Sequence, residues 1–151
     1  MIACFRRGLV PAVAWLLAGC NSDVPVPAVA HVAPIQADIT VTRVATHPFL
    51  ARFNLTLTVG SSGGCVARSD LFPDTGGVSR RNVYRGRADR LYVVGQFDVR
   101  RFDPGTCRIE LMEFGSVETG LLYLGTFDTD PSGRWVFFPP AMRAERPFPP
   151  P

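Results

Sequence analysis

The chain has 151 residues, 46% hydrophobic and 11% aromatic, with a formal net charge of +3, and that length less a leader accommodates one domain with a real core and not two. The apolar content excludes wholesale disorder, and 14 Gly with 14 Pro break the chain too often for long helices, so turns and strands are expected. All 16 basic residues are Arg, a uniformity read as genome composition because no single mechanism forbids Lys everywhere.

In chain order, Arg6 and Arg7 form a positive stretch, Leu9 to Ala18 an apolar one of ten residues, and Leu17-Ala18-Gly19-Cys20 closes the segment. Ten apolar residues are too few for a bilayer core of about 30 Å, so residues 1–19 read as a signal peptide and not as a transmembrane anchor. The four closing residues resemble the lipobox of the bacterial lipoprotein class: aliphatic, small, Gly or Ala, then Cys. The resemblance implies a diacylglycerol thioether on the Cys20 sulfur, cleavage before Cys20 and acylation of the new N-terminus. Two or more acyl chains hold a protein at a membrane essentially permanently. Asn21 follows where Asp, in the enterobacterial pattern, implies inner-membrane retention. The implied address is therefore the outer membrane, lipid-anchored, with the domain facing the periplasm.

With Cys4 removed and Cys20 acylated, Cys65 and Cys107 remain as one pair in an oxidising compartment, where a disulfide is expected. No CxxC or neighbouring His favours a redox or metal pair, and no cofactor or metal is expected. Removal of Arg6 and Arg7 leaves the mature chain near neutral against 13 acidic residues, so global charge names no partner and nucleic acid is not expected. Residues 20–36, with Pro25, Pro27 and Pro34 among small residues, read as a lipidated, extended Pro-rich tether. Residues 139–151 hold six Pro and read as a frayed Pro-rich C-terminal tail.

Residues 37–138 carry a period-two pattern. Ile39 and Val41 alternate with threonines, as do Phe53, Leu55, Leu57 and Val59 with Asn54, Thr56 and Thr58, giving half-buried strands. Leu91 to Arg101 and Cys107 to Phe114 flank the turn Asp103-Pro104-Gly105-Thr106 and predict a hairpin with Cys107, Ile109 and Leu111 inward. Gly120 to Phe127 and Arg134 to Phe138 predict a second around Asp130-Pro131-Ser132-Gly133. Seven or eight short strands without helical periodicity predict an all-β fold, an antiparallel β-sandwich that is immunoglobulin-like in the broad sense or a small barrel. The short cysteine spacing, and the absence of a Trp between the cysteines, argue against a true immunoglobulin domain.

Catalytic patterns are weak. Gly60-Ser61-Ser62-Gly63-Gly64 satisfies G-x-S-x-G around Ser62, but a strand and not a helix is predicted after it, and both His31 and His47 precede it, so a flexible turn is the reading. Asp74-Thr75-Gly76 matches three residues of the aspartic proteases, yet Pro73 breaks the strand that would deliver the Asp, and a Pro-Asp-x-Gly turn is the reading. Asp128, Asp130 and Gly133 outline part of a calcium loop without the closing Glu, and read as a turn. No catalytic residue is assigned.

Arg80, Arg81, Arg85, Arg87 and Arg90 place five guanidinium groups within 11 residues, a pattern suited to phosphates, head groups or an acidic partner. The sequence thus leads to a non-catalytic envelope module with a protein partner, and next to a ligand-binding or inhibitor lipoprotein that uses these arginines; a hydrolase comes third.

Overall fold

The period-two pattern becomes two packed antiparallel sheets. The computed structural model describes residues 24–148, so the signal peptide, Cys20 and Pro149 to Pro151 lie outside the described residues. Strand β1 (Val26–Val32), β2 (Ala37–Ala45), β3 (Phe53–Ser61) and β4 (Val66–Asp70) form the first sheet in sequential order. β2 buries Ala37, Ile39 and Val41, and β3 buries Leu55, Leu57 and Val59, with Val41 opposite Leu57. The intervening threonines take the outer face, as alternation demands.

Seven residues expected in the tether belong to β1, which corrects the boundary at residue 37. Val26 pairs with Arg43 and Val32 with Ala37, and Ala28, Ala30 and Val32 face the core. The strand lies at the sheet edge, where Pro27 is tolerated because an edge position does not require every amide proton.

The second sheet contains β5 (Arg81–Arg85), β6 (Leu91–Val94), β7 (Val99–Asp103), β8 (Arg108–Met112), β9 (Leu122–Thr129) and β10 (Trp135–Phe138), in the order β10-β9-β5-β6-β7-β8. Both expected hairpins form, β7 with β8 and β9 with β10. The expected run Leu91 to Arg101 does not stay whole: Gly95 N donates to Asp98 O at 2.8 Å and turns it into β6 and β7. Ile109 packs against the core, but Leu111 is 53% exposed, because β8 is the edge strand of the wider sheet. The register of β5 and β9 shifts between Val83 and Tyr84, opposite Gly125 and Tyr123. Gly125 sits there at φ +136°, and a Cβ on it would meet Phe138 O at 2.4 Å, so the bulge requires glycine.

Phe102, Phe127 and Trp135 fill the space between the sheets. Neither sheet closes on itself, so the fold is a sandwich and not a barrel. Each sheet is built from one continuous half of the chain, unlike the interleaved strands of an immunoglobulin domain. The disulfide is present: Cys65 and Cys107 join the two sheets with their Cα atoms 5.8 Å apart. Residues 113–121 cross the outer face of the second sheet, where Phe114, Val117 and Leu121 cover Tyr84, Tyr92 and Val99.

The described part of the tail is docked, not frayed. Tyr84 donates its hydroxyl hydrogen to Glu145 at 3.0 Å, Asn82 Nδ2 donates to Arg146 O at 2.9 Å, and Arg80 lies 4.1 Å from the Phe148 ring centroid. Arg143 and Arg146 both reach the Asp128 carboxylate, at 2.5 and 2.8 Å. Composition alone hid this, because the partners lie up to 66 residues away in sequence.

Candidate functional site

Strand direction sorts the connections into two ends. The 62–65 and 104–107 turns share the end closed by the disulfide. At the other, the loop end, lie the 46–52 loop, the 71–80 crossover between sheets, the 95–98 turn and the 130–134 turn. The chain also enters β1 there, since Val26 stands beside Arg43.

Two arginines sit in phase with core residues and organise this end. On β2, Arg43 takes the inward position after Ile39 and Val41. Its guanidinium lies 4.2 Å over the Phe53 ring and 5.0 Å from the Trp135 ring centroid, and Nη1 donates to Thr129 Oγ1 at 3.1 Å. Burial pulls its pKa down while Asp74 and Asp128 pull it up, and an arginine stays charged under both influences. Among the described residues no carboxylate forms an ion pair with it. The indole of Trp135 is fixed in turn by donation from Nε1 to Val41 O at 2.9 Å.

On β5, Arg81 precedes Val83 on the same face and is buried. Its Nη2 lies 3.6 Å from Asp98, whose side chain is 1% exposed, and donates to Phe72 O at 2.9 Å. Asp98 in return accepts from Phe72 N at 2.9 Å, so the pair holds both backbone groups of one crossover residue. Burial lowers the Arg81 pKa, opposed by Asp98 and Asp74. Arg100 lies 3.6 Å from the far side of Asp98. A Cβ on Gly95 would stand 2.7 Å from Asp98 Oδ1 and 2.8 Å from the Arg81 guanidinium carbon, so this turn needs glycine for room.

Asp74 is occupied by its own turn. Its Oδ1 accepts from Gly76 N at 3.0 Å and Gly77 N at 2.7 Å, and Oδ2 accepts from the Ser79 hydroxyl. The backbone of Asp74 bridges to Phe53 in both directions, at 2.8 and 2.9 Å. This is the Pro-Asp-x-Gly turn of the sequence, now tying the crossover to β3.

Between these elements lies an open groove of about 390 Å³ lined by Arg43, Phe53, Asp74, Ser79, Asp128 and Thr129. A shallower one of about 500 Å³ shares Asp128 and Thr129 and adds Arg143 and Arg146. A cleft of about 30 Å³, room for roughly one water, separates the crossover from Gln96 and Phe97. The groove sets one aromatic-flanked cation, Arg43, beside the carboxylates of Asp74 and Asp128. The Ser79 hydroxyl and the Asp74 carboxylate that accepts from it both line the groove, and no histidine is among its lining residues.

The other sequence candidates are dispersed. Ser62 lies at the disulfide end, its amide donating to Gln36 O at 3.0 Å. His31 pairs with Asp38 at 2.8 Å on the outer face of β1 and β2. His47 Nδ1 accepts from Phe49 N at 3.1 Å and Leu50 N at 3.0 Å at the loop end. Asp130 accepts from Ser132 and Arg134, which hold its carboxyl well below the usual carboxylate range. The described residues contain no group of three His, Cys, Asp or Glu side chains placed to hold a metal ion.

The five clustered arginines do not converge. Arg81 binds Asp98, Arg85 binds Asp89 at 2.5 Å, Arg87 lies 3.9 Å from Glu118, and Arg90 lies 3.4 Å from Asp103. Arg80 donates to Arg146 O. Strand alternation and the 86–90 turn spread residues that are close in sequence over both faces and both ends. Sequence reasoning missed Arg43 and Asp98; the available signal was an arginine falling in step with Ile39 and Val41 on the core face of a strand.

Neither a protein-family model, nor a curated protein, nor a solved structure matches this chain. Fold and site together define a disulfide-braced antiparallel β-sandwich with an arginine- and aromatic-lined loop end.

Proposed function

We propose that this chain is a cell-envelope lipoprotein, acylated on Cys20 and held at the outer membrane with its β-domain in the periplasm. The domain acts there as a non-catalytic structural or protein-interaction module. The observation that carries this reading is Leu17-Ala18-Gly19-Cys20 standing just ahead of a folded domain with a disulfide, a bond that persists in an oxidising compartment. The polar groups that a hydrolase would need, Asp74 and Ser62, are engaged in turns at opposite ends. A periplasmic or membrane protein is the partner class that this location makes accessible.

The test is the intact mass of detergent-extracted protein beside a Cys20→Ala variant, with crosslinking in the same cells. A mass from Cys20 plus acyl groups, lost in the variant, supports the anchor; an unacylated soluble chain overturns it. A second reading, an anionic ligand in the 390 Å³ groove, is favoured by Arg43 and not by the 80–90 cluster. Under that reading Arg43→Gln abolishes ligand binding while Arg85→Gln and Arg87→Gln leave it intact.

A further inference from the structure

The first strand begins at Val26, so only six residue steps separate it from Cys20, at most about 20 Å of fully extended chain. A tether over residues 20–36 would have reached roughly 55 Å. The short reach keeps the end at which the chain enters β1 within about 20 Å of the bilayer surface. That end is the loop end. Strands β2 and β3 continue past the level of Val26 to the pair Ala45 and Phe53, about 7 Å further, before the 46–52 loop begins.

The side chains at this end suit a membrane interface. Phe49 is 85% exposed, Phe97 61%, Leu50 48% and Phe72 42%. No other phenylalanine among the described residues is as exposed. The 46–52 loop is ordered to display its two: Thr46 N donates to Arg52 O at 2.9 Å, and His47 Nδ1 accepts from the amides of Phe49 and Leu50. Arg43, Arg52 and Arg80 stand at the same end, and no carboxylate among the described residues forms an ion pair with them. Exposed aromatic and aliphatic side chains beside unpaired arginines are what an anionic bilayer interface accepts.

We propose that the loop end is a membrane-facing surface, with Phe49, Leu50, Phe72 and Phe97 entering the interface of the bilayer that holds the acyl chains. The domain then stands on the membrane with the disulfide end outward. This inference rests on the acylation of Cys20 proposed above.

The test uses the acylated full-length mature protein in vesicles of phosphatidylethanolamine and phosphatidylglycerol, with plain or brominated acyl chains. Trp135, the mature chain's own tryptophan, is buried and gives a constant background. Phe49→Trp and Phe97→Trp place a reporter at the loop end, and Val66→Trp, 70% exposed in the wild type, places one at the disulfide end. The expected result is a blue-shifted emission that loses most of its intensity in brominated vesicles for the first two variants and stays unchanged for Val66→Trp. Protein that carries the acyl mass and floats with vesicles, yet shows no quenching at 49 and 97 or equal quenching at 66, overturns the orientation and leaves the lipoprotein reading intact. Protein of unmodified mass that does not float overturns both.

Discussion

The two ends of the sandwich are held by different physics. The disulfide end is closed by one covalent bond that joins sheet to sheet, and much of its effect is exerted on the unfolded chain. The loop end has no such bond. There the buried Arg81 and Asp98 pair of the second sheet grips the crossover at Phe72, and Arg43 of the first sheet lodges between Phe53 and Trp135. A covalent brace tolerates change around it, whereas a buried ion pair is stable only while every partner is in place. The loop end is therefore where single substitutions are most damaging, and it is also the end with the most exposed aromatic surface.

Substitutions sharpen this contrast. Asp98→Ala leaves the Arg81 guanidinium buried and unpaired, and is expected to cost about 3–5 kcal/mol, read as a lower urea midpoint at unchanged slope. Arg81→Met with Asp98→Leu removes both charges together, and recovery of most of that loss would show that the penalty belongs to the orphaned charge. Replacing Cys65 and Cys107 with alanine is expected to cost about 4 kcal/mol through the freed unfolded chain, with the circular dichroism of the native state unchanged.

Truncation before Arg143 strips the partners from Asn82 and Tyr84, and about 2 kcal/mol of stability should go with them in the same urea titration. Burial pushes the Tyr84 hydroxyl up to about 12 from an ordinary 10, so the folded state resists its ionisation. That contribution is intact below pH 10 and declines as pH rises from 10 through about 12; Tyr84→Phe flattens that part of the alkaline stability profile. The smallest effect is expected at Phe49→Ser, within about 0.5 kcal/mol, because an 85% exposed side chain holds nothing in place. A larger loss there would mean that Phe49 braces the loop end.

Much of the sandwich was legible because alternation and turn chemistry are local. The threonine-spaced strands and the Asp103 and Asp130 turns follow from residues within a few positions of one another, and the cysteine pair, 42 positions apart, follows from there being two cysteines left to join. β1 was hidden by its prolines, although Ala28, Ala30 and Val32 alternate as a strand should. The Gly95 turn was hidden inside an apolar run, since its cause is the Arg81 and Asp98 pair that needs the space. The arginine cluster misled for the opposite reason. Five like residues in a row of 11 look like one surface, and only the pairing of β5 with β6 and β9 shows that they face different partners. The docking of Glu145 and Arg146 on Asn82, Tyr84 and Asp128 is long-range and left no local signature.

The chain passes between the sheets once, through residues 71–80, with the first sheet complete before that segment and the second begun only after it. Thr75 to Val78, the longest exposed run of the crossover, is therefore a stretch where a cut separates the halves without severing any strand. A nick there leaves two fragments that each own a whole sheet and remain linked through Cys65 and Cys107. The two halves would then be held by the disulfide and by the core they share, in which Phe102, Phe127 and Trp135 of one meet Ile39, Val41 and Leu57 of the other.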